Sequence, residues 1–247
     1  MEALAGNPVF WLLAIAGVVL TGISKSGFAG GAGVVAVPLL ALVMPIPQAV
    51  FLVLPLLLVM DVKTVQYYRH HASWTDLRAV LPAALLGIAA GGLMLGRMPE
   101  QALRITLGGI SIVFALWHGL APLLGGMKGA GWLWGAISGL TSTLIHAGGP
   151  PINIYLIARQ LPKLSWLATA GIFFGTMNVI KLVPYLLTGE WGADVFLMSL
   201  LLLPVAFLGT WLGKHIQGRI QDRHFMLCCR GLLLASGLLL IAQAVSG

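Results

Sequence analysis

The sequence predicts an all-α polytopic membrane protein of about ten helical segments, arranged as two inverted repeats of five. Each repeat opens with a glycine-rich broken or re-entrant helix pair. Three observations carry that expectation: the apolar character of the whole chain, the spacing of its apolar runs, and the placing of its few charges. Of 247 residues, 59% are hydrophobic and 9% charged, with a mean hydropathy of +0.97, whereas a soluble domain carries roughly 25% charged residues. Apolar runs of about 20 residues, the length that crosses a ~30 Å hydrocarbon core, recur from end to end. The formal charge of +7 sits in short links between these runs. That is the pattern of cytoplasmic loops and not of a nucleic-acid surface.

The segments fall at about 8–27, 31–44, 47–69, 76–96 and 101–121, then 130–146, 150–161, 164–187, 194–213 and 224–245. The first has no Lys or Arg ahead of it in MEALAGNPVFWLL, so no cleaved signal peptide is expected. It runs into TGISKSGFAGGAG (21–33), with five glycines, two serines and a lysine where lipid favours an unbroken helix. The second segment and the seventh hold fourteen and twelve residues; at 1.5 Å per residue they rise only about 18–21 Å, short of a full crossing. The third ends in the basic link KTVQYYRHH (63–71), whose Arg69, His70 and His71 read as a cytoplasmic belt. The tenth holds Cys228 and Cys229. A bridge between neighbours is strained, so two free, buried thiols are expected. No metal-ligand spacing occurs, and no cofactor is implied.

The second five segments look like a copy of the first, dividing the chain into membrane repeats at 1–125 and 126–247. LPAALLGIAAGG (81–92) matches LPVAFLGTWLGK (203–214), aligning Pro82 with Pro204, Gly87 with Gly209 and Gly91 with Gly213. FAGGAG (28–33) likewise resembles HAGGPP (146–151), and the shared order of these matches argues for an internal repeat. Charge then sets the orientation. With 63–71 in the cytoplasm and ten crossings, Arg159, Lys163 and KHIQGRIQDRH (214–224) fall inside, while TGEWGAD (188–194) falls outside. Counting each broken pair as one crossing moves the basic links of the second half outside, against the positive-inside rule. Five segments per half make the halves inverted, with both termini outside. Inverted repeats suit a transporter, because two similar halves can exchange inward-open and outward-open shapes around a central site.

The candidate site lies at the two breaks. Gly30, Gly31 and Gly33 in one half, and Gly148 and Gly149 in the other, permit sharp turns and close approach; Pro150 and Pro151 suit a first helical turn. A half-helix N-terminus inside the membrane offers free N–H groups and partial positive charge, and two of them converging favour an anion. Ser24, Ser26, Thr141, Ser142 and Thr143 can donate hydrogen bonds without bulk or charge. For the glycines the alternative is tight helix packing. Lys25 either adds charge to the site or snorkels to the cytoplasmic surface. His146 is either a ligand or a satisfied interior histidine. Asn178 and Asp61 occupy similar positions in the repeat; Asp61 either joins the site or pairs with the basic belt. Lys181, six residues before its segment ends, either faces the site or snorkels outward.

Taken together, GISKSGFAGGAGVVAVPLL and GLTSTLIHAGGPPINIYL resemble the TauE/SafE family of sulfite and organosulfonate exporters, a group also called the toluene sulfonate uptake permease family. The resemblance covers nearly the whole chain and is most specific in the first break followed by VPLL (37–40). It implies secondary transport of sulfur-containing oxyanions, such as sulfite or small sulfonates, across a bacterial inner membrane. Its site residues are carried over only to the two breaks, 24–33 and 141–151; the second departs from a plain glycine run at Pro150 and Pro151. The expected partners are a small anionic substrate and membrane lipid; oligomeric state, the particular anion and ion coupling stay open. Export of one negative charge from a negative-inside cell is downhill by ~2.3 kcal/mol per 100 mV. Two other classes compete. A passive membrane subunit of a larger transport complex calls for a long cytoplasmic coupling loop, and every link here is short. An intramembrane enzyme needs a nucleophile and base; there is no HExxH, GxSxG or intramembrane aspartate pair, and His146 near Ser142 is the lone candidate.

Overall fold

The computed structural model describes residues 6–28, 35–94, 97–116, 125–187, 192–216 and 222–246. Among the described residues there are ten α-helices and no strand. The helices are α1 (Pro8–Gly27), α2 (Ala36–Leu40), α3 (Ile46–Tyr68), α4 (Trp74–Met94) and α5 (Glu100–Leu116), followed by α6 (Ala130–Ile145), α7 (Gly149–Ala158), α8 (Lys163–Leu187), α9 (Ala193–Ile216) and α10 (Asp222–Ser246). Each lies on one of the ten apolar segments. Six stretches, in α1, α3, α4, α8, α9 and α10, are long and apolar enough to cross a membrane. The chain is a polytopic α-helical membrane protein.

Local chemistry sets the helix starts. The Asn7 side chain accepts from the Val9 N–H at 2.9 Å, with Pro8 in the first helical turn, which caps α1. Ser73 caps the start of α4: its Oγ accepts from the Asp76 N–H at 3.4 Å and donates to Asp76 Oδ2 at 2.6 Å, while its own N–H donates to Thr169 Oγ1 at 2.9 Å. The 3-10 turn Arg69–His71 that follows α3 is exposed throughout, as a belt in the aqueous interface requires.

Two helices are short where the sequence breaks. The described part of the second segment is helical for five residues, and α7 has ten, a rise of about 15 Å for the latter. Gly30, Gly31 and Gly33 lie outside the described residues. α6 ends as His146 enters the left-handed region at φ 55°. Its N–H donates to the Ser142 carbonyl at 3.0 Å, which closes the helix in an αL cap, and the Ala147 N–H donates to the Thr141 carbonyl at 3.2 Å.

The helices pack reciprocally. The fourth helix of each half lies on the first helix of the other, α4 on α6 and α9 on α1. The third helices pair, α3 with α8, as do the fifth, α5 with α10. Glycines permit the two cross-half contacts. A Cβ on Gly87 would run into the Ala136 carbonyl of α6, and one on Gly22 would lie 2.8 Å from the Gly209 carbonyl carbon of α9. Gly87 and Gly209, matched in sequence, thus occupy matching interfaces. One expectation is corrected. Cys229 is buried but Cys228 is exposed, because neighbours on a helix point about 100° apart and only one can face the bundle.

Candidate functional site

The ends of α1 and α6 meet α3 and α8 in a buried polar cluster. Lys25, in the last turn of α1, forms an ion pair with Asp61 Oδ1 of α3; they are 5% and 2% exposed. The Lys25 ammonium also stands 5.2 Å from the centre of the Phe174 ring, a cation–π distance. From α8, Asn178 Nδ2–H donates to Asp61 Oδ2 at 2.5 Å. The carboxylate is thus held by a charge on one oxygen and an amide on the other.

One turn further along α8, Lys181 is fully buried. Its ammonium meets three acceptors: the Ser142 carbonyl at 3.1 Å, Ser142 Oγ at 2.9 Å and His146 Nδ1 at 2.8 Å. The other ring nitrogen, His146 Nε2, is 2.9 Å from the Val50 carbonyl. A carbonyl only accepts, so Nε2 carries the hydrogen and Nδ1 offers its lone pair to Lys181. The imidazole is therefore neutral, and the cluster holds two buried lysines and one aspartate. Ionisable side chains buried in a membrane interior are expensive and rare.

The cluster also finishes the helix ends. The last carbonyls of a helix lack intrahelical partners. Tyr185 O–H donates to the Thr143 carbonyl of α6 at 2.6 Å, and Tyr68 O–H to the Ser26 carbonyl of α1 at 3.0 Å. Tyr185 stands 117 residues after Tyr68, the separation of Asn178 from Asp61. The repeat therefore reuses its capping tyrosines but not its charges. Where one half places Asp61 the other has Asn178, and the lysines come from α1 in one half and α8 in the other. A symmetric frame carries an asymmetric set of charges.

Of the residues singled out from sequence, Lys25, Ser142, His146 and Asn178 come together here with Asp61 and Lys181. Lys181 faces the cluster and does not snorkel. Ser24 Oγ is buried and has no hydrogen-bond partner among the described residues; it is the counterpart of Ser142 when FAGGAG is laid on HAGGPP. The other hydroxyls give their hydrogens to main-chain carbonyls. Ser26 Oγ bonds Gly22 and Thr210 at 2.9 and 2.8 Å, Thr141 Oγ1 bonds Ile137 and Ala147 at 2.8 and 3.0 Å, and Thr143 Oγ1 bonds Gly139 at 2.8 Å. Ser26 thereby ties α1 to α9, while Thr141 and Thr143 bond within α6 and the turn after it; all three hydroxyl hydrogens are taken. Gly148 packs against Ser138, whose Oγ–H donates to its carbonyl at 2.6 Å. Gly149 opens α7, where Pro150 and Pro151 remove two of the N–H groups a helix start normally offers. The Ala36 N–H at the start of α2 is taken by Thr21 Oγ1 at 3.2 Å.

Sequence reasoning did not single out Tyr185, Phe174 or the Val50 carbonyl. Tyr185 carried a signal, its repeat register with Tyr68; a main-chain carbonyl carries none. The other buried carboxylate, Asp76, is a structural tie. Its Oδ1 accepts from Tyr155 O–H and Arg159 Nε–H, both at 2.7 Å, pinning the end of α7 to the start of α4.

Residues 13–240 match the family model described as Sulfite exporter TauE/SafE. A curated relative, the "Probable inner membrane transporter protein TsaS" of Comamonas testosteroni, is 28% identical over 173 residues, covering 67% of this chain and 71% of that protein. No solved structure matches. With a match that runs from within α1 to within α10, the chain belongs to the TauE/SafE sulfite exporter family.

Proposed function

We propose that this protein is a secondary transporter of small sulfur oxyanions, sulfite or sulfonates, that binds the anionic head group at the Lys25–Asp61–Lys181 cluster between its two broken helix pairs. The observation that carries the reading is the residue set of that cluster: two buried lysines and a single aspartate. Such a site attracts a monovalent anion and repels cations, and the unpartnered Ser24 hydroxyl supplies a donor to an oxyanion oxygen. A sulfonate stays ionised at every cellular pH, so it needs donors and positive potential.

Membership of a family of exporters supports transport, and the relative's printed name supports placement in a bacterial inner membrane. Reciprocal packing of the helices supports a repeat, and the charge of the links supports an inverted arrangement with both termini outside. Export is the direction that the membrane potential favours for an anion travelling alone. The arrangement disfavours an intramembrane hydrolase: both His146 nitrogens are engaged, with Lys181 and Val50, so the ring has no lone pair left to activate Ser142.

The test is a thermal-stability screen of the purified protein against sulfite, sulfate, thiosulfate, two-carbon sulfonates, carboxylates, sugars and organic cations. A ligand at 100 times its Kd adds about 2.7 kcal/mol. Stabilisation by sulfonates or sulfite supports the reading; stabilisation by cations or sugars alone refutes it.

A further inference from the structure

Asp61 sits where an anion belongs. Its carboxylate pairs with the Lys25 ammonium, the group that a bound oxyanion would seek. Anion and carboxylate cannot both hold Lys25 at close range, because two negative charges side by side in a low-dielectric interior repel strongly and burial disfavours an unpaired carboxylate. The remaining charged and titratable neighbours give Asp61 no second cation to move to. Lys181 of α8 has its three hydrogens on Ser142 and His146, and His146 at the end of α6 is neutral. Asn178 of α8 donates to Asp61 from an amide. On α9, which also packs on α3, Lys214 lies over the Tyr67 ring at 4.1 Å, and Lys63 of α3 points to Phe207.

We propose that Asp61 is a displaceable internal counter-ion: an entering oxyanion takes over Lys25, and Asp61 leaves the pair as a carboxylic acid, so that one proton is taken up with each anion bound. The inference rests on the anion-site reading above. The step balances. A proton from solvent joins the Asp61 carboxylate, no covalent bond to the substrate forms or breaks, and the ammonium–carboxylate pair becomes an ammonium–oxyanion pair beside a neutral acid. The net charge of the cluster is the same before and after. The new acid O–H becomes a donor to the oxyanion, while Asp61 keeps the Asn178 hydrogen bond on its other oxygen. If the proton travels with a monovalent sulfonate, the loaded step is electroneutral. The potential then ceases to favour export, and the pH gradient sets the direction.

The sign of the pH effect follows. Binding raises the affinity of Asp61 for a proton, so anion affinity falls as pH rises, by up to tenfold per pH unit between the ligand-free and ligand-bound pKa of Asp61. The probe is methanesulfonate, which is ionised throughout pH 5–9, so that any proton exchanged belongs to the protein. Titration calorimetry of the purified protein, in buffers of different ionisation enthalpy across that range, counts the protons. The expected result is uptake approaching one proton per methanesulfonate in wild type, with a falling affinity. Asp61→Asn is expected to bind with no uptake and a flat pH profile. Infrared difference spectra of the wild type, on adding methanesulfonate, should show a new buried carboxylic acid C=O band, which tests the same step without any variant. Binding with no proton uptake across the pH range and no new acid band would overturn the counter-ion role and leave the anion site standing. Undiminished uptake in Asp61→Asn would also overturn it, by placing the proton elsewhere. Absence of binding by every sulfonate and by sulfite would instead overturn the anion-site reading, and this inference with it.

Discussion

Replacing Lys181 by Met separates a binding lysine from a helix cap. The native ammonium makes three hydrogen bonds of 2.8–3.1 Å and is fully buried. Methionine fills similar space without charge. Two of the three acceptors are left in tolerable states: the Ser142 carbonyl keeps the His146 N–H, and Ser142 Oγ–H is free to turn toward a main-chain carbonyl. His146 Nδ1 loses its partner, which costs about 1–3 kcal/mol. Removing a desolvated charge offsets part of that, so the net loss of stability should stay under about 2 kcal/mol. Affinity should suffer more. At roughly 5 Å and an effective dielectric of about 20, an ammonium contributes about 3 kcal/mol to holding a monovalent anion. Its loss weakens binding on the order of 100-fold. The assay is methanesulfonate titration beside a melting curve of the same sample. A folded Lys181→Met protein that binds as tightly as wild type would refute the reasoning and leave Lys181 a cap.

Lys25→Met should be worse for folding, by about 3–5 kcal/mol, because it strands the Asp61 carboxylate in the interior; adding Asp61→Asn should restore most of the melting temperature, and a double-mutant cycle checks it. Gly139→Val should lower stability by at least about 1–3 kcal/mol, since its Cβ would run into the Ala84 carbonyl, whereas Gly109→Ala, with nothing within 4 Å of its Cβ, should melt near wild type. Arg69→Gln, in the exposed 3-10 turn, should leave sulfonate affinity within about twofold of wild type, as a surface charge distant from the cluster is screened. Cysteine labelling in whole cells should find position 189 accessible from outside; labelling only from the cytoplasm would contradict the inverted arrangement.

The ten segments were legible because lipid makes strong demands on sequence: apolar length for the spans, glycine or proline at the breaks, positive charge in the inner links. The packing partners of α4 and α9 were foreshadowed by the Gly87 and Gly209 match, since close helix contact needs small residues wherever it occurs. The cluster was legible only in part. Ser142, His146, Lys25 and Asn178 stood out as polar residues in apolar runs, but their partners depend on how α3 and α8 cross, which local pattern does not encode. Lys181 could be read as snorkelling because its distance from the segment end fits either role; tertiary packing turns it inward. The hydroxyls of Ser26, Thr141 and Thr143 looked like donors in sequence, yet each bonds a carbonyl one turn back, a local choice that Ser and Thr often make in helices. Cys228 shows the same limit, because its neighbour Cys229 takes the inward face.

The most direct test of the central claim is solute counterflow in proteoliposomes. Vesicles containing the protein and loaded with unlabelled methanesulfonate should take up labelled methanesulfonate transiently. Sulfite should compete, sugars and organic cations should not, and protein-free vesicles should show no uptake. Equal uptake with and without the protein, or competition by cations in place of sulfite, would contradict transport of sulfur oxyanions through the Lys25–Asp61–Lys181 cluster.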